Sequence, residues 1–133
     1  MMIKERRDED MDWKLDDSRP IWPQLKEQLT IAIIAGRYPM GAPFPTVREL
    51  AEDAGVNRNT MQRALSELEH DGFVITNRTA GRTVTTDESL IAETKEKIAM
   101  QSIRVFIKEM KALGYDAGDV VGMIKKEGFS IDE

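Results

Sequence analysis

The amino-acid sequence predicts a mostly α-helical fold that carries one small β-hairpin. Apolar residues recur at helical spacing along most of the chain. Two helix-start signals enclose a short glycine-containing turn between residues 45 and 72. Only between residues 73 and 86 does the pattern change to the β-branched and aromatic residues that favour strands. The hairpin is therefore expected to lie between helices.

The chain is expected to begin with an acidic, flexible tail over residues 1–12, followed by a short extended piece at Trp13. The first helix is predicted over residues 21–36, where Pro23 is tolerated because it lies in the first turn. Residues 38–44 contain two prolines and a glycine and are expected to form a loop. The inner face of the first helix is expected to consist of Leu25, Leu29, Ala32 and Ile33.

The next two helices carry clear start and stop signals. Thr46 and Glu49 have the spacing of a capping box, and Gly55 is expected to end that helix in the left-handed conformation. Asn57 is the predicted N-cap of the following helix, which Gly72 ends. The buried stripe of this second helix is expected to be Met61, Ala64, Leu65 and Leu68. Such a pair, joined by a short turn with glycine, is the unit that places its second helix in the DNA major groove.

The following segment is predicted to form a β-hairpin wing. Residues 73–76 and 83–86 are the expected strands, and residues 77–82 the turn between them. Arg78 and Arg82 flank the tip, where they can contact phosphate or the minor groove. Solubility charge is the alternative role for these arginines, but their place directly behind a helix-turn-helix favours DNA contact. The predicted domain, residues 13–86, is thus a winged helix-turn-helix.

Polar side chains on the outer face of the second helix are the candidate base readers. Arginine can form a bidentate contact with guanine or bind phosphate. Asn and Gln can form a bidentate contact with adenine. A solvated polar face is the alternative, and the adjoining turn and wing disfavour it. The candidate DNA-binding residues on these elements are Arg48, Asn57, Arg58, Asn59, Thr60, Gln62, Arg63, Arg78 and Arg82.

Residues 87–133 are predicted to form a helical dimerisation region. A long helix is expected over residues 88–113, and Asp116 caps a short last helix that stops near Gly128. The candidate dimerisation residues are Ile91, Ile98, Ile103, Phe106, Met110, Leu113, Val121 and Ile124. These helices are too few to enclose a pocket of about 300 Å³ by themselves, so their apolar stripe needs a partner surface. This stripe can pack on the winged domain or on a second chain. We favour the second chain, because a two-fold dimer presents two recognition helices to successive major grooves.

Composition is that of a small regulator within the cytoplasm. The chain has 133 residues and no Cys, which excludes disulfides and thiolate metal sites. No signal peptide is expected, and the most apolar window, residues 29–35, is far shorter than the ~20 residues of a membrane span. The net charge of −5 is unfavourable for binding DNA, which is itself an anion. Residues 18–86, however, hold eight Lys/Arg against seven Asp/Glu, so the acidity lies at the two ends.

Catalysis is not expected. His70 has no neighbouring nucleophile, and its position near a helix end favours a surface role. The sequence contains no glycine-rich phosphate loop and no His/Cys set with metal-ligand spacing. We therefore predict no catalytic residue, no metal and no cofactor.

Several motifs occur together in this chain. They are residues 20–25 (PIWPQL), 36–37 (GR), Gly41, 45–51 (PTVRELA), 57–65 (NRNTMQRAL), 67–69 (ELE), Gly72 and 78–82 (RTAGR). This combination, with the short two-helix tail, resembles the GntR family of bacterial transcription regulators, and within it the YtrA subfamily. Arg58 departs from the pattern by replacing a frequent Pro, and Thr83 by replacing a usual aromatic residue.

The resemblance implies a homodimeric repressor that binds a palindromic operator in double-stranded DNA near its own gene. Residues that match Arg48, Arg58, Thr60 and Gln62, together with the wing glycine that matches Gly81, contact DNA in the family. YtrA-like members often lie beside genes for ABC transporters. No particular small-molecule effector is implied. The competing hypothesis is a winged-helix module that binds a protein rather than specific DNA.

Overall fold

A computed structural model describes residues 11–79 and 81–129 of the chain. The elements, in chain order, are α1 (Ile21–Ile34), α2 (Val47–Ala54), α3 (Arg58–His70), β1 (Val74–Asn77), β2 (Gly81–Val84), α4 (Glu88–Ala112) and α5 (Ala117–Lys126). The strands form an antiparallel pair. The predicted fold class, mostly helical with a small β-wing, is therefore confirmed. The chain divides into two compact units, Met1–Lys95 and Glu96–Glu133.

The first unit is built on the packing of α1 against α3, with α2 and β1 also contacting α3. The predicted inner face of α1 and the predicted stripe of α3 are buried, which confirms both. The largest fully buried side chains are Leu25, Leu29, Ile33, Met61, Leu65, Leu68, Val74 and Val84. The recognition helix therefore rests on a continuous apolar core, which determines the face that it turns outward.

The start and stop signals of α2 and α3 act as predicted. The Glu49 amide donates to Thr46 Oγ1 at 3.1 Å, and the Thr46 amide donates to Glu49 Oε2 at 3.4 Å. Gly55 takes the left-handed conformation with φ 70°, which a side chain would strain. Asn57 caps α3, and α3 ends just before Gly72. These local signals set the angle at which α3 leaves the turn.

The wing strands are displaced from their predicted positions. The predicted strand began at Phe73, but its amide instead donates to Leu68 O at 3.0 Å and closes the end of α3. Asn77 pairs with Gly81, so the strands extend further than predicted, and Gly81 and Arg82 belong to β2. The predicted turn over residues 77–82 was therefore too long, because the backbone pairing continues toward the tip.

Part of the predicted loop runs beside β2 and pairs with it. The Phe44 amide donates to Arg82 O at 2.8 Å, and the Val84 amide donates to Ala42 O at 2.9 Å. Thr83 accepts a hydrogen bond from Asn77 Nδ2 at 3.0 Å. The family resemblance would favour an aromatic residue at this position. The hairpin is thus anchored by backbone bonds to the segment that leads into α2.

The segment that precedes α1 is bonded to two helices. Trp13 Nε1 donates to Asp53 Oδ2 on α2 at 2.8 Å, while the Lys14 backbone exchanges two hydrogen bonds with the Gln28 side chain on α1. Hydrogen bonds from the hydroxyl and amide of Ser18 hold the pKa of Asp16 below its usual value. The predicted flexible tail, residues 1–12, lies outside the described residues except for its last two, and it stays a prediction.

The second unit contains the rest of α4 and all of α5. Asp116 and Asp119 form a capping box at the start of α5, as the predicted cap at Asp116 requires. Neither α4 nor α5 has a buried residue. Among the described helices, none has the length and apolar character needed to cross a membrane.

Candidate nucleic-acid interface

The recognition helix α3 separates its apolar and polar side chains cleanly. Met61, Ala64, Leu65 and Leu68 are buried on the inner face. Arg58, Asn59, Gln62 and Arg63 are exposed, and Thr60 is half-buried. Because residues four apart lie one above the other on a helix, Arg58 and Gln62 form one outward row and Asn59 and Arg63 the next. The face is thus a compact set of cations and amides at the helix start, where free backbone amides also favour anions.

Asn57 serves first as a structural cap. Its Oδ1 accepts a hydrogen bond from the Asn59 amide at 2.7 Å. One acceptor of the Asn57 side chain is therefore already used in the free protein, and its amide nitrogen remains the group that can reach DNA.

We expect Asn57→Ala to lower the free energy of unfolding by about 0.5–2 kcal/mol, because the start of α3 loses its cap. Asn57→Ser should retain most of the stability, since a serine oxygen can take the same amide. Urea denaturation followed by circular dichroism measures both variants. Equal stability of the alanine variant and the unchanged protein would contradict the capping role.

Gln62 is held by a second residue of α3. Its Nε2 donates to Ser66 Oγ at 3.1 Å. This leaves the amide oxygen and the other N–H of the side chain for a base edge, the pair of groups that adenine recognition requires. Ser66 thus restricts the orientation of an exposed amide on the recognition face.

Arg63 is held by α1. Its guanidinium lies over the ring of Trp22, with Cζ 4.4 Å from the ring centroid. Arg48, on α2, pairs instead with Glu52 one turn along, at 3.2 Å between Nε and Oε1. The Arg48 and Glu52 side chains are 71% and 64% exposed, so this pair contributes little stability and can exchange Glu52 for a phosphate.

The wing contributes three predicted residues. Arg78 is exposed in the turn, and Gly81 opens β2 with φ 71°. Among the described residues other than its chain neighbours, no atom lies within 4 Å of a Cβ built on Gly81, so the backbone conformation rather than crowding favours glycine there in the free protein. Arg82 is partly buried, and within residues 11–79 and 81–129 its Nε has no hydrogen-bond partner.

Arg82 faces a cleft between the wing and the start of α2. The cleft is lined by Phe44, Pro45, Thr46, Val47, Thr76, Gly81 and Arg82. The hydroxyl of Thr76 also bonds the carboxylate of Glu69, which joins the wing to α3. A guanidinium beside a helix start favours an anion, so we expect this cleft to accept a phosphate of the DNA backbone.

Comparison with known proteins agrees with this geometry. Residues 23–84 match the model of the bacterial regulatory proteins of the gntR family. The chain is 33% identical over 115 residues to YhcF of Bacillus subtilis (strain 168), an HTH-type transcriptional regulator named as uncharacterized; the match covers 86% of this chain and 95% of YhcF. A GntR family transcriptional regulator from Listeria monocytogenes has the same fold with a TM-score of 0.78 at 37% identity, covering 84% of this chain and 98% of that one. The chain belongs to the GntR family.

The resemblance to the YtrA subfamily is also confirmed. This GntR regulator is 33% identical over 101 residues to the HTH-type transcriptional repressor YtrA of Bacillus subtilis (strain 168), across 75% of this chain and 72% of YtrA. Its function is therefore that of a DNA-binding transcription regulator. These relatives are named as regulators and not as enzymes, which supports the prediction of a non-enzyme.

The structure of this GntR regulator gathers the predicted contact residues on three neighbouring elements: α2, the start of α3 and the wing. Sequence reasoning missed the partners of two of them: Trp22, which contacts Arg63, and Ser66, which bonds Gln62. The Gln62–Ser66 pair has helical i, i+4 spacing and could have been found from the sequence. Trp22 lies 41 positions before Arg63, and no local pattern connects the two.

The titratable side chains of the described residues were compared with the requirements of a metal site. Within residues 11–79 and 81–129, no group of three or more His, Cys, Asp or Glu side chains could hold a metal ion. His70 occupies the exposed last turn of α3, as predicted from its position.

Proposed function

We propose that this GntR regulator is a homodimeric repressor that binds a palindromic operator in the DNA of its own operon. The observation that carries the proposal is the polar face of α3, which stands opposite a fully buried stripe and is flanked by a wing with two arginines. DNA as the ligand places its action in the cytoplasm. Repression is supported by the name of the relative YtrA, a transcriptional repressor.

The dimer is supported by the exposed apolar surface of the second unit. Ile103 is 46% exposed, Phe106 38%, Leu113 69% and Val121 42%. Single exposed apolar side chains are common, but a contiguous set of this kind indicates an interaction surface. Part of it is a groove lined by Phe106, Met110, Val120, Met123, Ile124, Glu127 and Phe129. Ile98, Met110 and Ile124 are half-buried and continue the same stripe, whereas Ile91 lies in the part of α4 that belongs to the first unit.

A second copy of the chain is the occupant that best fits this surface. A two-fold dimer buries the same patch from both chains and presents two recognition helices to one duplex. It also doubles the number of arginines on the DNA. This doubling is important because the chain carries a net charge of −5 and residues 18–86 are close to neutral.

In-vitro selection of DNA sites by the full-length protein tests the proposal. We expect an inverted repeat whose half-sites are about 34–36 Å apart, one helical turn, or a multiple of that distance. Selection of a single half-site would contradict the dimeric mode of binding. Recovery of no enriched sequence would contradict specific DNA recognition altogether.

Gln62→Ala is expected to change the preference at one or two base pairs of each half-site by about 1–3 kcal/mol, because the side chain loses its bidentate contact with a base. Competition binding against single-base operator variants measures this preference. Gln101→Ala, on the exposed surface of α4, is the matched control and should leave the preference unchanged. An unaltered profile for Gln62→Ala would reject the reading role of Gln62.

A winged-helix module that binds a protein is the second candidate, favoured by the net charge of −5. Salt dependence separates the two candidates. A dimer that neutralises roughly six to ten phosphates loses about 10³- to 10⁵-fold affinity between 50 and 200 mM salt, because released counterions must be recovered. Weak DNA binding that is insensitive to both salt and sequence would favour the protein-binding candidate.

A further inference from the structure

We propose that Trp22 on α1 is a positioning residue for DNA recognition. Its ring holds the guanidinium of Arg63 in place, so that the N–H groups of that side chain are already positioned when DNA arrives. This inference rests on the proposed DNA-reading function of α3. It assigns a role in DNA recognition to Trp22, which lies on α1 and outside the helix-turn-helix.

The first argument is the geometry of the pair. The 4.4 Å separation between Arg63 Cζ and the Trp22 centroid lies well inside the ~6 Å reach of a cation–π contact. Arg63 is exposed, and Trp22 is half-buried. Within residues 11–79 and 81–129, Arg63 forms no ion pair or hydrogen bond through its side chain. The guanidinium is therefore held against the ring while its N–H donors stay available, and bidentate contacts with guanine or phosphate use those donors.

The second argument is the rigidity of the platform. Trp22 lies in the first turn of α1, next to Pro23 and followed by the fully buried Leu25. One turn further along α1, Lys26 pairs with Asp71 at the end of α3, with 2.5 Å between Nζ and Oδ2. From one face of α1, Trp22 thus contacts the middle of α3, and Lys26 contacts its C-terminal end. The backbone that carries the ring is therefore anchored to the core and to α3 by residues other than Arg63.

The third argument is the flexibility of arginine. A free Arg side chain populates many rotamers, and binding DNA would have to select one of them. Contact with an aromatic ring restricts the rotamers of Arg63 before binding, so that less conformational entropy is lost when DNA binds. The expected gain is modest, about two- to fivefold in affinity, because the contact is exposed on one side. Its greater consequence is for base preference, since a misplaced guanidinium can still attract phosphate but cannot read a base edge.

Four variants of the full-length protein test the proposal: Trp22→Leu, Trp22→Phe, Arg63→Ala and the double variant Trp22→Leu/Arg63→Ala. Binding is measured against the selected operator and its single-base variants. We expect Trp22→Leu to weaken operator binding about two- to fivefold and to flatten preference at the base pair affected by Arg63→Ala. Trp22→Phe should retain most of the operator affinity and of the base preference. In the Arg63→Ala background, Trp22→Leu should change neither the affinity nor the base preference any further.

A readout without DNA examines the contact itself. In a Trp13→Phe background, Trp22 is the remaining tryptophan, and Arg63→Ala should change its fluorescence emission. Ile31→Ala, also on the exposed part of α1, is the control and should change neither emission nor base preference.

Three results would overturn the proposal. In the first, Trp22→Leu weakens binding equally with and without Arg63, which would show that Trp22 acts only through general stability. In the second, Arg63→Ala leaves the emission of Trp22 unchanged, which would show that the contact is absent. In the third, the unaltered protein selects no DNA site, and the proposed function then fails together with this inference. The emission experiment distinguishes failure of the contact from failure of DNA reading.

Discussion

Phe106→Asp is expected to convert the protein from a dimer to a monomer and to weaken operator binding by about 10²-fold or more. Phe106 lies in the apolar groove of the second unit and is 38% exposed in the single chain. A carboxylate at this position would have to be buried without a partner in the dimer, at a large desolvation cost. Loss of the dimer then removes the second half-site contact, whose effective concentration multiplies affinity by about 10²–10⁴.

Sedimentation equilibrium and operator titration measure the two effects separately. Gln101→Asp adds the same charge to the exposed surface of α4 and serves as the control, which should remain dimeric. The isolated half-site should bind the Phe106→Asp monomer and the unaltered chain with similar affinity per subunit. If Phe106→Asp remains dimeric at micromolar concentration, the apolar surface does not form the dimer contact that we propose.

Leu65→Ala is expected to lower the free energy of unfolding by about 2–5 kcal/mol. Leu65 is fully buried on α3, between the recognition face and the core shared with α1. Removal of three carbon atoms leaves a cavity that the surrounding side chains fill only in part. Since a domain of this size has a total stability of roughly 5–15 kcal/mol, the change is a large fraction of it.

Thermal and urea denaturation of the full chain measure this change. Ile75→Ala removes the same number of carbon atoms from a wing side chain that is 46% exposed, and it should shift stability by only about 0.5 kcal/mol. At temperatures where the Leu65→Ala variant is folded, its base preference should be unchanged. A loss of stability no greater than that of Ile75→Ala would contradict the packing role of Leu65.

Local signals made the helix-turn-helix predictable. The cap of α2 needs only Thr46 and Glu49, and the stop at Gly55 needs only one residue with freedom for positive φ. The buried stripe of α3 follows from spacing along the helix. All of these interactions join residues within a few positions of one another, so the sequence pattern contains the information in full.

The wing was predicted less accurately because its pairing is not local. Phe73 suits a strand by residue type, yet its amide completes the end of α3 at Leu68. The strand partners of Arg82 and Val84 include residues 42–44, about 40 positions earlier in the chain. Strand preference of single residues contains no information on which of these competing bonds forms.

The class of this protein follows from its sequence, through the helix-turn-helix signals, the residue types on the outer face of α3 and the motifs of the GntR family. The orientation of those residues depends on tertiary contacts. The stack of Arg63 on Trp22 and the link from Thr76 to Glu69 join side chains of separate elements. Helix periodicity specifies which face of α3 points outward. The packing of α1 and the wing against α3 specifies where the groups on that face are held.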